Sequence, residues 1–260
     1  MVFKSLVLVF VIVGALVEVG TTVLAEEGVV NGGTEPSRKT KEFGLFVVKN
    51  FANMGGNADQ WGTDTASRIS EETGGEWSSE KSSVAGLGVG IFGWNSISPS
   101  FMFGGLIQYI PRGVEYTFTE GSSGNITKIP FKFNYLEMAI LGKVRPPSSW
   151  VIIPHFVFGP IFGYRMSGDI PLEFTNKQNE TYYDYYSGDI GVIAYDLYLG
   201  GILGLGGSYR FSSATLLTLQ FRYTASFTDQ VSGDYTIKSE DFDILLGLKF
   251  EKMETTEISD

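Results

Sequence analysis

Residues 215–224 read TLLTLQFRYT. From Leu217 every second residue is apolar or aromatic (Leu217, Leu219, Phe221, Tyr223), and Thr218, Gln220, Arg222 and Thr224 stand between them. A repeat of two is that of a β-strand, whose successive side chains point to opposite faces. One face of this strand is greasy and the other polar. In a soluble sheet the greasy face turns to a core. In a membrane barrel it turns to lipid, and the polar face lines the interior.

Composition favours many twisted strands. Of 260 residues, 33 are Gly, 20 Phe and 13 Tyr, with 18% charged, a poor recipe for helices. The length suits one domain or a compact pair. The absence of cysteine rules out disulfides and thiolate metal sites. A formal net charge of -10 argues against nucleic-acid binding through a basic surface. The chain opens MVFKSLVLVFVIVGALVEVGTTVLAEEG. Lys4, the apolar run 5–17 and the small residues before Glu26 predict a secretory signal peptide, 1–25, cleaved after Ala25. Glu18 breaks the run before it reaches the ~20 residues that a helical span needs, and no later segment offers them. A membrane form of this chain therefore crosses by strands.

Residues 26–41 are polar and read as a flexible lead-in. Strands are expected at 42–51, 83–95, 99–118, 130–144, 150–167, 194–210, 214–228 and 239–250. The segments 53–82, 119–129, 168–193 and 229–238 are long and polar, whereas 95–98, 145–149 and 210–214 are short. That alternation predicts an all-β, eight-stranded antiparallel up-and-down transmembrane β-barrel of the outer-membrane type, with long external loops and short periplasmic turns. The barrel covers 42–250, and 251–260 form a periplasmic tail. The faces agree. In the fifth strand Ile152, Pro154, Phe156, Phe158, Phe162 and Tyr164 oppose His155, Gly159, Gly163 and Arg165. In the last, Phe242, Ile244, Leu246, Leu248 and Phe250 oppose Asp243, Gly247 and Lys249. The second face is small and sparsely charged, which suits a narrow packed lumen. The ring must close, because an open edge in hydrocarbon leaves amides unpaired.

Several of these segments resemble the small outer-membrane β-barrel proteins of diderm bacteria, the "porin family" or outer membrane protein beta-barrel domain family. FNYLEMAILGKV (133–144) is similar to that family's fourth strand, and IIPHFVFGPIFGYRMSG (152–168) to its fifth. LIQYIPRGVEY (106–116) resembles the third and LTLQFRYTASFTD (217–229) the seventh. DILLGLKF (243–250) resembles the closing strand, which implies that Phe250 is the aromatic read by the barrel-assembly machinery. The chain departs from the pattern at Leu106, Pro111 and Ala139, and in the tail after Phe250. Most members have no assigned activity, so the resemblance implies a fold more than a function.

Glu137, Lys143, Arg165, Asp196, Arg222, Asp243 and Lys249 fall on expected lumenal positions. Eight strands leave room for side chains rather than a channel, so a paired network filling the lumen is the simplest reading, with Glu137 and Arg222 as the preferred pair. The alternative is a small porin, its solute path lined by those groups. His155 is the sole histidine, expected to face inward. Without a nearby serine it lacks the arrangement of a lipid-modifying triad, and alone it cannot build an imidazole metal site. No enzyme activity and no cofactor are expected. In the loop NKQNETYYDYYSGD (176–189), Tyr182, Tyr183, Asp184, Tyr185 and Tyr186 form a candidate external contact surface. It reads either as a recognition loop for an extracellular ligand or host surface, or as an extended hairpin with interfacial tyrosines. GLGVG (86–90) lies mid-strand with no helix after it and is no nucleotide loop. The expected partners are outer-membrane lipid, the assembly machinery and a ligand of the loops.

Overall fold

A computed structural model describes residues 39–146, 151–169, 171–175, 181–185, 196–212, 214–229 and 237–254. Its elements run β1 (Lys39–Gly56), α1 (Ala58–Thr73), β2 (Trp77–Ser96), β3 (Phe101–Glu120), β4 (Ile126–Val144), β5 (Ile152–Asp169), β6 (Pro171–Thr175), β7 (Thr181–Tyr185), β8 (Leu197–Arg210), β9 (Thr215–Ser226) and β10 (Ile237–Glu254). Among the described residues, eight strands form a ring in the order β1-β2-β3-β4-β5-β8-β9-β10, each antiparallel to its neighbours. β1 pairs with β10 from Lys39↔Glu254 to Gly56↔Ile237 and closes it. β6 and β7 form a hairpin whose first strand pairs with the far end of β4, Ile126↔Thr175 to Lys128↔Glu173.

The alternation of the opening stretch becomes geometry. Leu219, Phe221 and Tyr223 stand exposed on the outer wall, and Thr218, Gln220, Arg222 and Thr224 are buried inside. The same holds around the ring, with Phe43, Leu45 and Val47 on β1, Leu87, Val89 and Ile91 on β2, and Leu203 and Leu205 on β8 all facing out. On β5 the exposed face runs from Ile152 to Tyr164, about 40 Å along the strand at ~3.3 Å per residue. At a tilt of ~40° this covers the ~25 Å apolar band of a membrane barrel. A continuous apolar belt of this size is the surface of a barrel immersed in lipid.

Inside, glycines give bulky side chains their space. Tyr198 on β8 lies directly opposite Gly163 on β5, and a Cβ at Gly163 would stand 1.8 Å from the Tyr198 ring. A tyrosine ring pinned at both ends cannot step aside. Gly163→Ala is therefore expected to cost about 1–3 kcal/mol through overpacking, read as a lower urea midpoint for the folded barrel in liposomes.

The strands are longer than their apolar pattern predicts. β1 begins at Lys39 and β10 runs to Glu254, so the lead-in and tail boundaries at 41 and 251 fall inside strands. The ladder needs only backbone groups, and it continues past the point where greasy alternation ends. β2, β3 and β4 likewise extend far beyond the apolar belt at the end opposite the tight turns. What reads as a long loop at 119–129 is a short turn, 121–125, on top of a tall hairpin, with Gly124 at φ 73 donating to the Glu120 carbonyl at 2.9 Å. The expected loop 168–193 contains the β6–β7 hairpin. The segment 53–82 contains a helix, α1, which ends where Gly74 takes φ 72 and donates to the Ser70 carbonyl. The signal peptide, most of the lead-in, Trp150, Tyr186 and 255–260 lie outside the described residues.

β2 and β3 change register between Ser83 and Val89. Pro111, on β3 beside this break, has no N–H for the ladder. Gly86 packs against it, with the site of its missing Cβ 2.5 Å from the proline ring.

Candidate functional site

Inward positions of neighbouring strands bring charged residues level with one another. Gln108 and Glu137 are direct partners across β3–β4. Arg222 and Asp243 are partners across β9–β10, and Asn50 and Asp243 across β1–β10. At mid-barrel the Glu137 carboxylate accepts from Arg112 Nε at 2.5 Å and Nη2 at 3.0 Å, from Gln108 Nε2 at 2.6 Å, and from the Tyr198 hydroxyl. Arg112 crosses the lumen to donate to Asp241, which also accepts from the Ser239 hydroxyl. Arg222 donates to Gln108 Oε1 at 3.0 Å and lies 3.6 Å from Asp243, whose other oxygen accepts from Asn50 Nδ2 at 2.7 Å. Glu137, Arg112, Asp241, Arg222 and Asp243 are all buried. Arg222 also stacks over the Phe46 ring at 5.5 Å.

A second cluster fills the end that carries the tight turns. Glu42 accepts from Lys143 and, at 2.8 Å, from Arg145, and forms an ion pair with Lys249 at 3.1 Å. Glu251 pairs with Arg210 at 2.7 Å and lies 3.6 Å from Arg145. The Lys143 ammonium sits 5.1 Å from the centre of the Trp94 ring.

Of the seven expected lumenal charges, Glu137, Lys143, Arg222, Asp243 and Lys249 lie inside the barrel. Arg165 and Asp196 pair with each other at 2.7 Å, but at the loop end, where the Asp196 side chain is 62% exposed. Arg165 itself turns inward, its side chain 8% exposed and lying over the buried Phe133 ring, and Asp196 alone stands at the rim. The preferred pair is also replaced. Glu137 takes Arg112 as its cation, and Gln108 stands between it and Arg222. A glutamine able to donate with one atom and accept with the other lets two like-charged guanidinium groups share one lumen.

Sequence reading missed Glu42, Gln108, Arg112, Tyr198 and Asp241. Their signal is parity. Arg112 follows Leu106, Gln108 and Ile110 at steps of two on β3, and Glu42 precedes Phe46, Val48 and Asn50 at the same spacing on β1. All of these are buried. His155 does face inward, with Nδ1 3.5 Å from the Ile153 carbonyl. Phe250 lies on the outer surface against Phe43, rings 5.4 Å apart, at the closing seam.

The loop end is covered from within. α1 packs on the inner face of the tall β2–β4 wall, where its Trp61 wedges edge-on against Tyr116 at 4.6 Å and Phe131 at 5.3 Å. The Tyr116 hydroxyl donates to the Ala58 carbonyl at 2.9 Å. Burial under the helix, reinforced by the Asp59 carboxylate, pushes the Tyr116 phenol well above its ordinary pKa. Lys81 anchors the start of the helix through the Met54 carbonyl and Asp59, 2.7 and 2.6 Å away. Tyr182, Tyr183, Asp184 and Tyr185 lie in β7, the outer strand of the hairpin whose β6 pairs with the protruding end of β4.

No protein-family model matches the chain, and no curated protein does. Solved barrels do resemble it in shape. Neisserial surface protein A is similar at 10% identity and TM-score 0.40, over 80% of this chain and 96% of that one. The outer membrane protein OprG from Pseudomonas aeruginosa is similar at 11% identity and TM-score 0.40, over 85% and 99%. Ail, the attachment invasion locus protein of Yersinia pestis, follows at 9% and 0.38, over 81% and 98%. Likeness of this degree decides nothing about activity, which has to be read from the lumen and the mouth.

Proposed function

We propose that this chain is an integral bacterial outer-membrane β-barrel with a closed lumen, without enzymatic activity, that presents its loop end to the outside for structural or adhesive contacts. The carrying observation is the combination of an apolar outer belt with a lumen crossed by buried ion pairs. The belt calls for lipid, and a closed strand ring is the β-form a bilayer admits. An eight-stranded interior is only wide enough for side chains to fill, and here Arg112 spans it from Glu137 to Asp241. Assignment to the porin family of small outer-membrane barrels rests on the strand motifs quoted above and belongs to the same reading, as do export by the signal peptide and recognition of Phe250 by the assembly machinery. The tall wall, α1 and the β6–β7 hairpin carry the contact surface, with the tyrosines of 182–186 as its anchors.

Single-channel recording on the refolded barrel in a planar bilayer tests the closed lumen. Silence is expected from protein whose heat-modifiable gel mobility shows it folded. Reproducible conductance steps whose ion selectivity shifts in Arg222→Ala would instead make it a small porin. Deletion of 176–189 in a conduction-silent barrel tests the surface: cell or matrix binding should fall to background with folding intact, and unchanged binding would sink the tyrosine-rich loop as the contact.

A further inference from the structure

Between the two charge clusters lies a cavity of about 20 Å³, whose polar lining is Lys143, His155, Thr218, Gln220 and Lys249. Two of these side chains meet over one glycine. His155 on β5 and Gln220 on β9 are the direct ladder partners of Gly206 on β8, one from each side. A Cβ at Gly206 would stand 2.7 Å from His155 Nε2, so the side chain that would part the ring from the amide is missing. His155 and Gln220 are each more than nine-tenths buried.

Each of the two has a polar group to satisfy. Gln220 Nε2 is a buried donor with no hydrogen-bond partner among the described residues. An unmet amide N–H pair at such a depth is costly unless something accepts from it. His155 Nδ1 lies 3.5 Å from the Ile153 carbonyl. That oxygen can only accept, which assigns the ring proton to Nδ1 and leaves Nε2 as an acceptor. The remaining lining is mixed in the same way: the lysine ammonium groups donate, and the Thr218 hydroxyl does either. An ion of either sign would meet groups of the wrong kind on one side. A water accepts and donates, and the volume admits roughly one water-sized particle.

We propose that this cavity is a binding site for one ordered water, which accepts from the Gln220 amide and donates to His155 Nε2. The water staples β5 to β9 across the bare backbone of β8, and it gives the sole histidine of the chain a structural role in the barrel wall. The bridge goes beyond the closed-lumen reading and stands whether or not the lumen conducts.

Because His155 is the only histidine, its ring nitrogens give one pair of signals in solid-state NMR of the folded barrel, isotopically labelled, in lipid bilayers. The expected spectrum shows a proton on Nδ1, none on Nε2, and magnetisation passing from water to Nε2. In Gln220→Leu that transfer should fall to background. A proton on Nε2, or a ring out of contact with water, overturns the proposal, as does an unchanged water signal in a folded Gln220→Leu barrel. Should that variant not fold, the two readings on the unaltered barrel decide by themselves. A crystal structure fine enough to show ordered water should place one oxygen atom within hydrogen-bond reach of both the Gln220 amide and His155 Nε2. A direct contact between the two side chains would sink the bridge.

Discussion

Replacing Glu137 by alanine is expected to lower the unfolding free energy of the barrel by about 3–5 kcal/mol, the cost of leaving a buried cation without its partner. The Glu137 carboxylate is wholly buried and accepts from Arg112 twice, from Gln108 and from Tyr198. Its loss strands three side-chain partners on two strands at once: β3 loses the partner of its arginine and glutamine, and β8 loses that of its tyrosine. Arg112 retains only Asp241 across the lumen. Glu137→Gln keeps an acceptor oxygen without the charge, so its loss should fall between those of wild type and the alanine variant. Glu80→Ala, on the water-exposed outer face of the tall wall, serves as the reference and should move stability by no more than about 0.5 kcal/mol. Urea titration in liposomes, followed by tryptophan fluorescence, reads all three. A Glu137→Ala loss below ~1 kcal/mol would mean that water replaces the carboxylate, and that the lumen is far wetter than its packing implies.

The barrel itself was legible because its strands keep one rule over their central residues. Wherever one face meets lipid, the alternation is greasy and easily seen, as in Leu217 to Tyr223. It stops being greasy at both rims, although the hydrogen-bonded ladder does not stop there. For that reason Lys39, Thr40 and Lys41, and Glu251 to Glu254, read as lead-in and tail while forming the last rungs of the closing pair. The same holds for Ser78 to Ser83, whose outer face meets water and whose inner face meets a helix.

That helix was the largest omission, and its signals were present. Ala58, Trp61, Gly62, Ala66 and Ile69 repeat at three and four residues, and the small or apolar side of that stripe is the side packed on the wall. Gly74 and Gly75 then supply the stop, Gly74 in the left-handed conformation that favours glycine. Serines, threonines and acids between these positions made the segment look like a loop, because a helix lying over an opening needs only a narrow apolar stripe. Pairing inside the lumen was less legible. Parity places a residue on the inner face but does not give its height, and a long arginine reaches several rungs. Arg112 lies opposite Phe133 in the ladder, yet it contacts Glu137 on the same neighbour and Asp241 on a strand across the barrel.

Leu246→Arg is expected to destabilise the barrel by about 2–4 kcal/mol in a bilayer, the cost of a cation at mid-depth on the lipid face of a β-barrel. Leu246 sits midway along the exposed face of β10, flanked by Leu219 on β9 and Val47 on β1, all of them exposed. Nothing inside the barrel touches that face, so the substitution leaves the ion pairs of the lumen untouched. Its effect reports only the medium outside. If the belt met water, an arginine there would be harmless and would improve solubility. Two comparisons isolate depth from chemistry. Thr119→Arg, near the tip of the tall wall above the belt, should be close to neutral. Phe250→Arg, near the turn end, should cost less than Leu246→Arg, because a long cationic side chain there snorkels to the interface. A graded loss, largest at Leu246 and smallest at Thr119, measured by urea titration in liposomes, establishes lipid on the greasy face. A flat series across the three positions would put that face in water and remove the membrane from the reading of this chain.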